Sequence, residues 1–245
     1  MSELRWLSAT DGPESLPDPT EAMTEPNGLL AAGGSLDPDW LLASYRRGIF
    51  PWFETGQPIL WWSPDPRTVL RPDELKVSRS LKKRLRGGGF RLTADHDFAG
   101  VISACAQPRR YTDETWITPP MLEAYSRLHE LGWAHSFEAW ADGKLAGGLY
   151  GIAIGKVFFG ESMFARQSDA SKVALWHALR FLSLQKFQMI DCQLPSAHLS
   201  HLGATSMPRS EFLSQLERLT QGAGTPGVFC DAFAACLEPP DNIPA

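Results

Sequence analysis

Three strand-like runs joined by two tight turns constrain the fold of this chain most strongly. The runs cover residues 135–141, 144–154 and 156–163. Asp142-Gly143 separates the first two runs, and Gly155 separates the second from the third. Asp-Gly is a strong signal for a two-residue hairpin, because both positions must accept a positive φ angle. The pattern therefore predicts adjacent antiparallel strands at the centre of a sheet.

Helical patterns lie on both sides of these strands. Ser78 can cap a basic helix that the glycines at 87–89 end, and Pro119-Pro120 can open a second helix. Ser168 or Asp169 can cap a long third helix. The predicted helices cover 78–86, 119–131, 169–185 and 211–220, and a further strand covers 189–193. This order predicts an α+β domain.

The first part of the chain has a different composition. Residues 1–66 are rich in Pro, Gly and Trp and show no extended periodicity, which predicts a small loop-rich domain. Pro64, Pro66 and Pro72 interrupt any continuing element. We therefore expect two domains, a small one over 1–66 and the α+β domain over 67–245.

The order of elements resembles the acyltransferase fold of the GNAT type, in which a mixed, mostly antiparallel central sheet splits and the acyl donor lies in the cleft. GNAT enzymes hold coenzyme A with a glycine-rich loop before a helix. The corresponding segment here is FARQSDAS, which has no glycine. An N-acetyltransferase that uses acetyl-CoA therefore remains an alternative without an evident cofactor cradle.

Charge and cysteine content limit the class of protein. The net charge is −5, but positive charge is concentrated in Arg46-Arg47, in RSLKKRLR from Arg79 to Arg86 and in Arg109-Arg110. The four cysteines form no CxxC pair, and no apolar run reaches eighteen residues. We expect a cytoplasmic protein that needs no metal and has no membrane partner. The basic clusters are either a local binding face or solvated helix surfaces.

A single carboxylate stands out in the segment FFGESMFA. Strand alternation would place Glu161 on one face with Phe159 and Met163, two large apolar side chains. Burial of an unpaired carboxylate is costly, so such a position indicates either a site or an edge strand that faces water.

A second polar pair lies in DCQLPSAH. Alternation would put Asp191 and Gln193 on the same face of a strand. Gln193 could accept a hydrogen bond from an amine, and Asp191 could orient that amine. Alternatively, both side chains satisfy loop amides. His198 and His201, just beyond the strand, are expected in a loop.

Tryptophan is frequent, with nine residues in the chain, and several lie beside arginines in irregular segments. Trp52, Trp61 and Trp62 stand in segments that look too irregular for interior helices. Exposed aromatic side chains near arginines are suited to stacking on a nucleotide base.

In this order, GGSL, YRRGIFPW, WWSPDPR, TWIT, GGLYG, FFGESMF, ASK and DCQ closely resemble the leucyl/phenylalanyl-tRNA-protein transferase family of bacteria, over about residues 28–220. The resemblance implies transfer of Leu, Phe and, less efficiently, Met from aminoacyl-tRNA to proteins that begin with Arg or Lys, which marks them for degradation by the N-end rule pathway. It implies no cofactor, and we expect a monomer.

The resemblance also implies roles for individual residues. It makes Asp191 and Gln193 the catalytic pair and Glu161 a cleft residue that binds the acceptor side chain or the donor amino group. The implied contacts to substrate further include Trp52, Trp116 and Tyr45 near the terminal adenosine, and Leu149, Phe158 and Ile190 around the transferred side chain. The implied contacts to tRNA are Arg79, Lys82, Lys83, Arg84 and Arg86. Ala178 occupies a pocket position that is aromatic in some relatives. A non-catalytic module that binds amino termini or tRNA ends is a further alternative.

Overall fold

The computed structural model describes residues 4–107, 116–222 and 226–237. Within these ranges the chain forms eleven strands and eight α-helices. The strands are β1 (Arg5–Leu7), β2 (Leu29–Gly33), β3 (Phe50–Pro51), β4 (Leu60–Trp62), β5 (Arg67–Leu70), β6 (Arg91–Ala94), β7 (Ala134–Ala141), β8 (Lys144–Ile154), β9 (Val157–Ala165), β10 (Met189–Gln193) and β11 (Thr205–Met207). The helices are α1 (Pro38–Arg46), α2 (Arg79–Gly87), α3 (Phe98–Cys105), α4 (Pro119–Glu130), α5 (Ala170–Leu184), α6 (Ala197–Leu202), α7 (Arg209–Thr220) and α8 (Cys230–Cys236).

The strands form two sheets. The smaller has the order β1-β2-β4-β3, and the larger has the order β11-β5-β10-β9-β8-β7-β6. In the larger sheet β9 and β10 are parallel, whereas the other recorded pairs are antiparallel. The predicted α+β class with a mixed, mostly antiparallel central sheet is confirmed.

The parallel pair separates before its strands end. β9 and β10 pair from Val157 with Met189 to Phe159 with Asp191, and β9 then continues to Ala165. Glu161 and Gln193 therefore occupy equivalent positions, each two residues beyond the last pair. The split that the GNAT resemblance predicts is present at this point.

Both strands are irregular where they separate. Ser162 pairs with Tyr150 and Gly160 with Gly151, which leaves Glu161 without a partner on β8. Such a bulge redirects the side chain and ends simple alternation. The expectation that Glu161 shares one face with Phe159 and Met163 is thus wrong, because Phe159 packs in one core cluster and Met163 against the other.

The core continues across the predicted domain boundary. One apolar cluster joins Trp61 and Tyr45 from the first part to Tyr125, Tyr150 and Phe159 from the second. The two parts are therefore packed together, and the division at residue 66 stays a prediction. Trp61, which sequence placed in an irregular segment, is fully buried.

The predicted helices and strands are all present, with bounds shifted by a few residues. Ser78 caps α2 through Leu81 N–H, as expected. Four helices were not predicted, namely α1, α3, α6 and α8. Their lengths of six to nine residues give too few turns for a clear apolar period. None of the helices in the described ranges has the length and apolar character needed to cross a membrane.

Candidate functional site

A cavity of about 430 Å³ opens where β9 and β10 separate. The sheet supplies one wall, and α5 supplies the opposite wall through side chains that include Leu175 and Ala178. The wall formed by the sheet contains all three residues expected around the transferred side chain: Leu149, Phe158 and Ile190. The interior is therefore mainly apolar and closed on the side of α5.

A smaller cavity of about 120 Å³ adjoins the first. Trp116, Glu161 and Gln193 line both cavities, whereas Trp52 lines only the smaller one. The Trp52 side chain is 39% exposed, and the indole N–H of Trp62 donates to its carbonyl oxygen at 2.7 Å. Trp52 and Trp116 thus lie together at this smaller cavity, the polar mouth of the site, and the Trp52 side chain is partly exposed.

Glu161 lies between two tyrosines at this mouth. Tyr45 donates to Oε1 at 2.7 Å, Tyr125 donates to Oε2 at 3.1 Å, and the two hydroxyls also contact each other. Burial raises the pKa of Glu161 to about 7, although the two hydroxyls act in the opposite direction. The carboxyl group therefore changes charge near neutral pH.

Tyr45 does not have the position that its implied role requires. Its side chain is fully buried in α1, so it offers no surface for contact with an adenosine. Its ring packs edge-on against Phe159 and its hydroxyl binds Glu161. In this structure Tyr45 positions the carboxylate, and the expectation of direct substrate contact is not met.

Asp191 is enclosed and already paired. Arg67 donates from Nε to Oδ1 at 2.8 Å and from Nη2 to Oδ2 at 2.6 Å, and both side chains are completely buried. Arg67 also donates to the carbonyl of Gly48 and lies between the rings of Phe50 and Phe212. Asp191 is fully buried and lines neither cavity, so it does not orient an amine directly.

Gln193 is held by Asp191 instead of sharing a face with it. The backbone N–H of Gln193 donates to Asp191 Oδ1 at 3.0 Å, and Gln193 has a φ angle of 57°. This left-handed conformation and the shift of register between the two residues break the alternation that sequence assumed. As a result Cys192 and Gln193 both line the cavity, whereas Asp191 lies beneath it.

Two residues of this network were not selected from sequence. Arg67 belongs to WWSPDPR, and Tyr125 lies on the buried face of α4. A fully buried arginine is unusual, but nothing in the sequence around Arg67 signals burial. The expectation that His198 and His201 lie in a loop is wrong: both lie in α6, and His198 lines the cavity.

The expected tRNA-binding residues share one helix. In α2, Leu81 and Leu85 pack against Val173 of α5. The basic side chains on the remaining faces are exposed or half-buried: Arg79, Lys82, Lys83, Arg84 and Arg86. Helix α2 therefore lies on α5, the helix that walls the apolar cavity. Arg109 and Arg110 lie outside the described residues.

The family profiles and the most similar sequences that match this chain all describe the same family. A family profile described as leucyl/phenylalanyl-tRNA protein transferase matches residues 69–217, and the profile of that family's N-terminal domain matches residues 34–65. The leucyl/phenylalanyl-tRNA–protein transferase of an Azoarcus species is 56% identical over 230 residues, which cover 94% of this chain and 97% of that protein. The protein of that name from Stutzerimonas stutzeri is 58% identical over 213 residues, covering 87% of this chain and 93% of that protein.

Among solved structures, a GCN5-related N-acetyltransferase from Kribbella flavida has a TM-score of 0.36 and 12% identity, covering 70% of this chain and 61% of that one. The sequence relatives, in contrast, match over nearly their whole length. The chain belongs to the leucyl/phenylalanyl-tRNA protein transferase family.

Proposed function

We propose that this protein transfers a leucyl or phenylalanyl group from its aminoacyl-tRNA to the amino terminus of an acceptor protein. The observation that supports this most is the joined pair of cavities, in which an apolar chamber opens directly onto a polar mouth. An aminoacyl ester has the same two parts, an apolar side chain and a polar reacting centre.

The apolar chamber is suited to the transferred side chain. Leu149, Phe158 and Ile190 offer no polar atom that would select for one particular side chain. A hydrophobic pocket separates substrates that differ by one methylene by only about 1 to 3 kcal/mol. Discrimination between Leu and Phe is therefore modest, and Met is accepted less efficiently.

Glu161 is the group that selects the acceptor in this proposal. Glu161 lines both cavities, and its carboxylate pairs with the cationic side chain of an amino-terminal Arg or Lys. A modified protein would then enter the N-end rule degradation pathway.

The tRNA is bound at two places in this proposal. The terminal adenosine stacks at Trp52 and Trp116, next to the reacting centre. The acceptor stem follows the basic side chains of α2, where Lys83 and Arg86 are exposed. We further propose that the protein acts as a monomer in the cytoplasm.

The direct test uses the purified full chain, labelled Leu-tRNA and a peptide that begins with Arg. Transfer is expected without ATP, because the ester is already activated. A peptide of the same sequence with an acetylated amino terminus is the matched control and should remain unlabelled. Failure to label the Arg peptide would contradict the proposal. Replacement of the tRNA by labelled acetyl-CoA tests the acetyltransferase alternative, which no observation favours.

A further inference from the structure

Exposed apolar side chains are concentrated at the smaller cavity. Among the described residues, six large hydrophobic side chains are exposed, and two of them line this cavity. They are Trp52 and Leu194, each 39% exposed. Neither lines the larger cavity, where the transferred side chain is expected. Single exposed hydrophobic residues are normal on a protein surface, but two at one small cavity indicate contact with a ligand.

Leu194 follows Gln193 directly at the end of β10. Its backbone N–H donates to the carbonyl oxygen of Cys192 at 2.7 Å, which closes a tight turn beside the smaller cavity. Leu194 is not a member of any core cluster that the described residues form. Its apolar surface therefore contributes little to the core, although exposure of this surface to water is unfavourable.

One part of the acceptor has no assigned place in the proposed reaction. The larger cavity takes the transferred side chain, Trp52 and Trp116 take the terminal adenosine, and Glu161 takes the cationic side chain of the first acceptor residue. The Cα atom of the second acceptor residue is only about 3.8 Å from that of the first, so its side chain also lies close to the reacting centre. This side chain is therefore the next part of the acceptor that can contact the mouth of the site.

Of the two exposed apolar side chains, Leu194 is better suited to this contact. A tryptophan ring offers a flat face on which a base stacks, whereas a leucine side chain packs against aliphatic and aromatic groups alike. Glu161 is the only charged residue among the described residues that line the smaller cavity, so no cation there favours an acidic second residue. On the basis of the proposed function, we propose that Leu194 is a specificity residue: it packs against the side chain of the second acceptor residue and favours an apolar one.

The test uses the purified full chain, Leu-tRNA and two peptides that differ only at the second position, one beginning Arg-Leu and one beginning Arg-Asn. Leu and Asn have equal numbers of non-hydrogen side-chain atoms, so polarity is the main difference. The wild-type chain is expected to give a kcat/KM about three- to tenfold higher for the Arg-Leu peptide, because one apolar side chain is partly buried. In Leu194→Asn this ratio should fall to about one, while the KM for Leu-tRNA changes less than about threefold.

Two further variants serve as controls. Leu184 is also exposed, at 51%, but it lines neither of the two cavities, so Leu184→Asn should keep the wild-type ratio for the two peptides. Leu194→Met retains an apolar side chain of similar volume and should keep the preference for the Arg-Leu peptide. Each ratio is measured on one preparation of one variant, so it does not depend on the fraction of folded protein.

The outcomes separate the two proposals. Equal kcat/KM values for the two peptides with the wild-type chain would overturn the role of Leu194 and leave the proposed function intact. An unchanged ratio in Leu194→Asn would overturn this role as well, and a simultaneous rise in the KM for Leu-tRNA would place Leu194 at the terminal adenosine instead. A wild-type chain that labels neither peptide would overturn the proposed function, and the role of Leu194 with it.

Discussion

Arg67 donates two hydrogen bonds to Asp191, at 2.8 and 2.6 Å, and both side chains are fully buried. The pair joins β5 to β10 directly beneath Gln193. A buried pair of this kind is strongly destabilised when one partner is lost, because the other charge remains without compensation. It therefore connects the stability of the sheet with the geometry of the cleft.

The first prediction concerns this pair. Asp191→Asn should lower the free energy of unfolding by about 3 to 5 kcal/mol, because Arg67 is left uncompensated. Arg67→Met should lower the free energy of unfolding by a similar amount, because the Asp191 carboxylate is then left uncompensated. The double variant Arg67→Met/Asp191→Leu should regain most of the stability, since an apolar pair can replace a buried ion pair. Denaturant unfolding measures these changes.

Activity should not return with stability in the double variant. Asp191→Leu removes the acceptor for the Gln193 N–H, so kcat should stay at least about tenfold below the wild type while the KM for tRNA changes little. A double variant that is stable and fully active would show that the pair has a purely structural role.

The second prediction concerns Glu161 and pH. Its pKa is about 7 in the folded protein against 4.5 in an unfolded chain, so the folded state binds more protons between these values. Stability linked to this group is therefore fully present below pH 4.5 and is lost as the pH rises through 7. Glu161→Gln should raise the stability at pH 8 by at most about 3 kcal/mol and leave it nearly unchanged at pH 4. Thermal melts at the two pH values provide the measurement.

The same titration should affect the acceptor. The carboxylate form prevails above pH 7, so the KM for a peptide with amino-terminal Arg should fall as the pH rises from 6 to 8. In Glu161→Gln the part of this dependence that follows Glu161 should disappear, which leaves only the titration of the peptide α-amino group. If the pH profile of the variant matches that of the wild type, Glu161 does not bind the acceptor cation.

The third prediction concerns the size of the apolar chamber. Ala178 is completely buried in α5 and lines the cavity of about 430 Å³. Ala178→Phe should fill part of this volume and lower kcat/KM for Phe-tRNA at least about tenfold more than for Leu-tRNA. The ratio of kcat/KM for Phe-tRNA to kcat/KM for Leu-tRNA is measured on one variant, so it does not depend on the fraction of folded protein. An unchanged ratio would place the transferred side chain elsewhere.

The fourth prediction concerns the basic helix. Charge reversal at two exposed positions, Lys83→Glu and Arg86→Glu, should raise the KM for tRNA at least about tenfold and reduce its dependence on salt. Each single variant of the helix is compared with Lys144→Glu, which reverses one exposed charge in the β7–β8 hairpin and is the matched control. Equal effects of the helix and hairpin variants would indicate a response to net charge alone.

Local patterns were sufficient to predict the large elements. The Asp142-Gly143 turn lies between β7 and β8 as expected. The long helix predicted over 169–185 is present as α5. The site was less predictable because it depends on irregular backbone. A bulge at Glu161 and a left-handed φ at Gln193 change where these side chains point. No sequence pattern predicts either irregularity.

Long-range partners were also beyond the reach of sequence. Arg67 and Asp191 are 124 positions apart, and Tyr45 and Glu161 are 116 apart, so no spacing rule connects them. The charges and hydroxyls could be read from the sequence, but their pairing required the fold.

The contact between Tyr45 and Glu161 has a consequence for how such a protein can diverge. The carboxyl group belongs to the large sheet, yet a hydroxyl from the first fifty residues helps to set its proton affinity. Changes in the packing of α1 could therefore tune the pH at which the protein works, while every residue that lines the cleft stays the same.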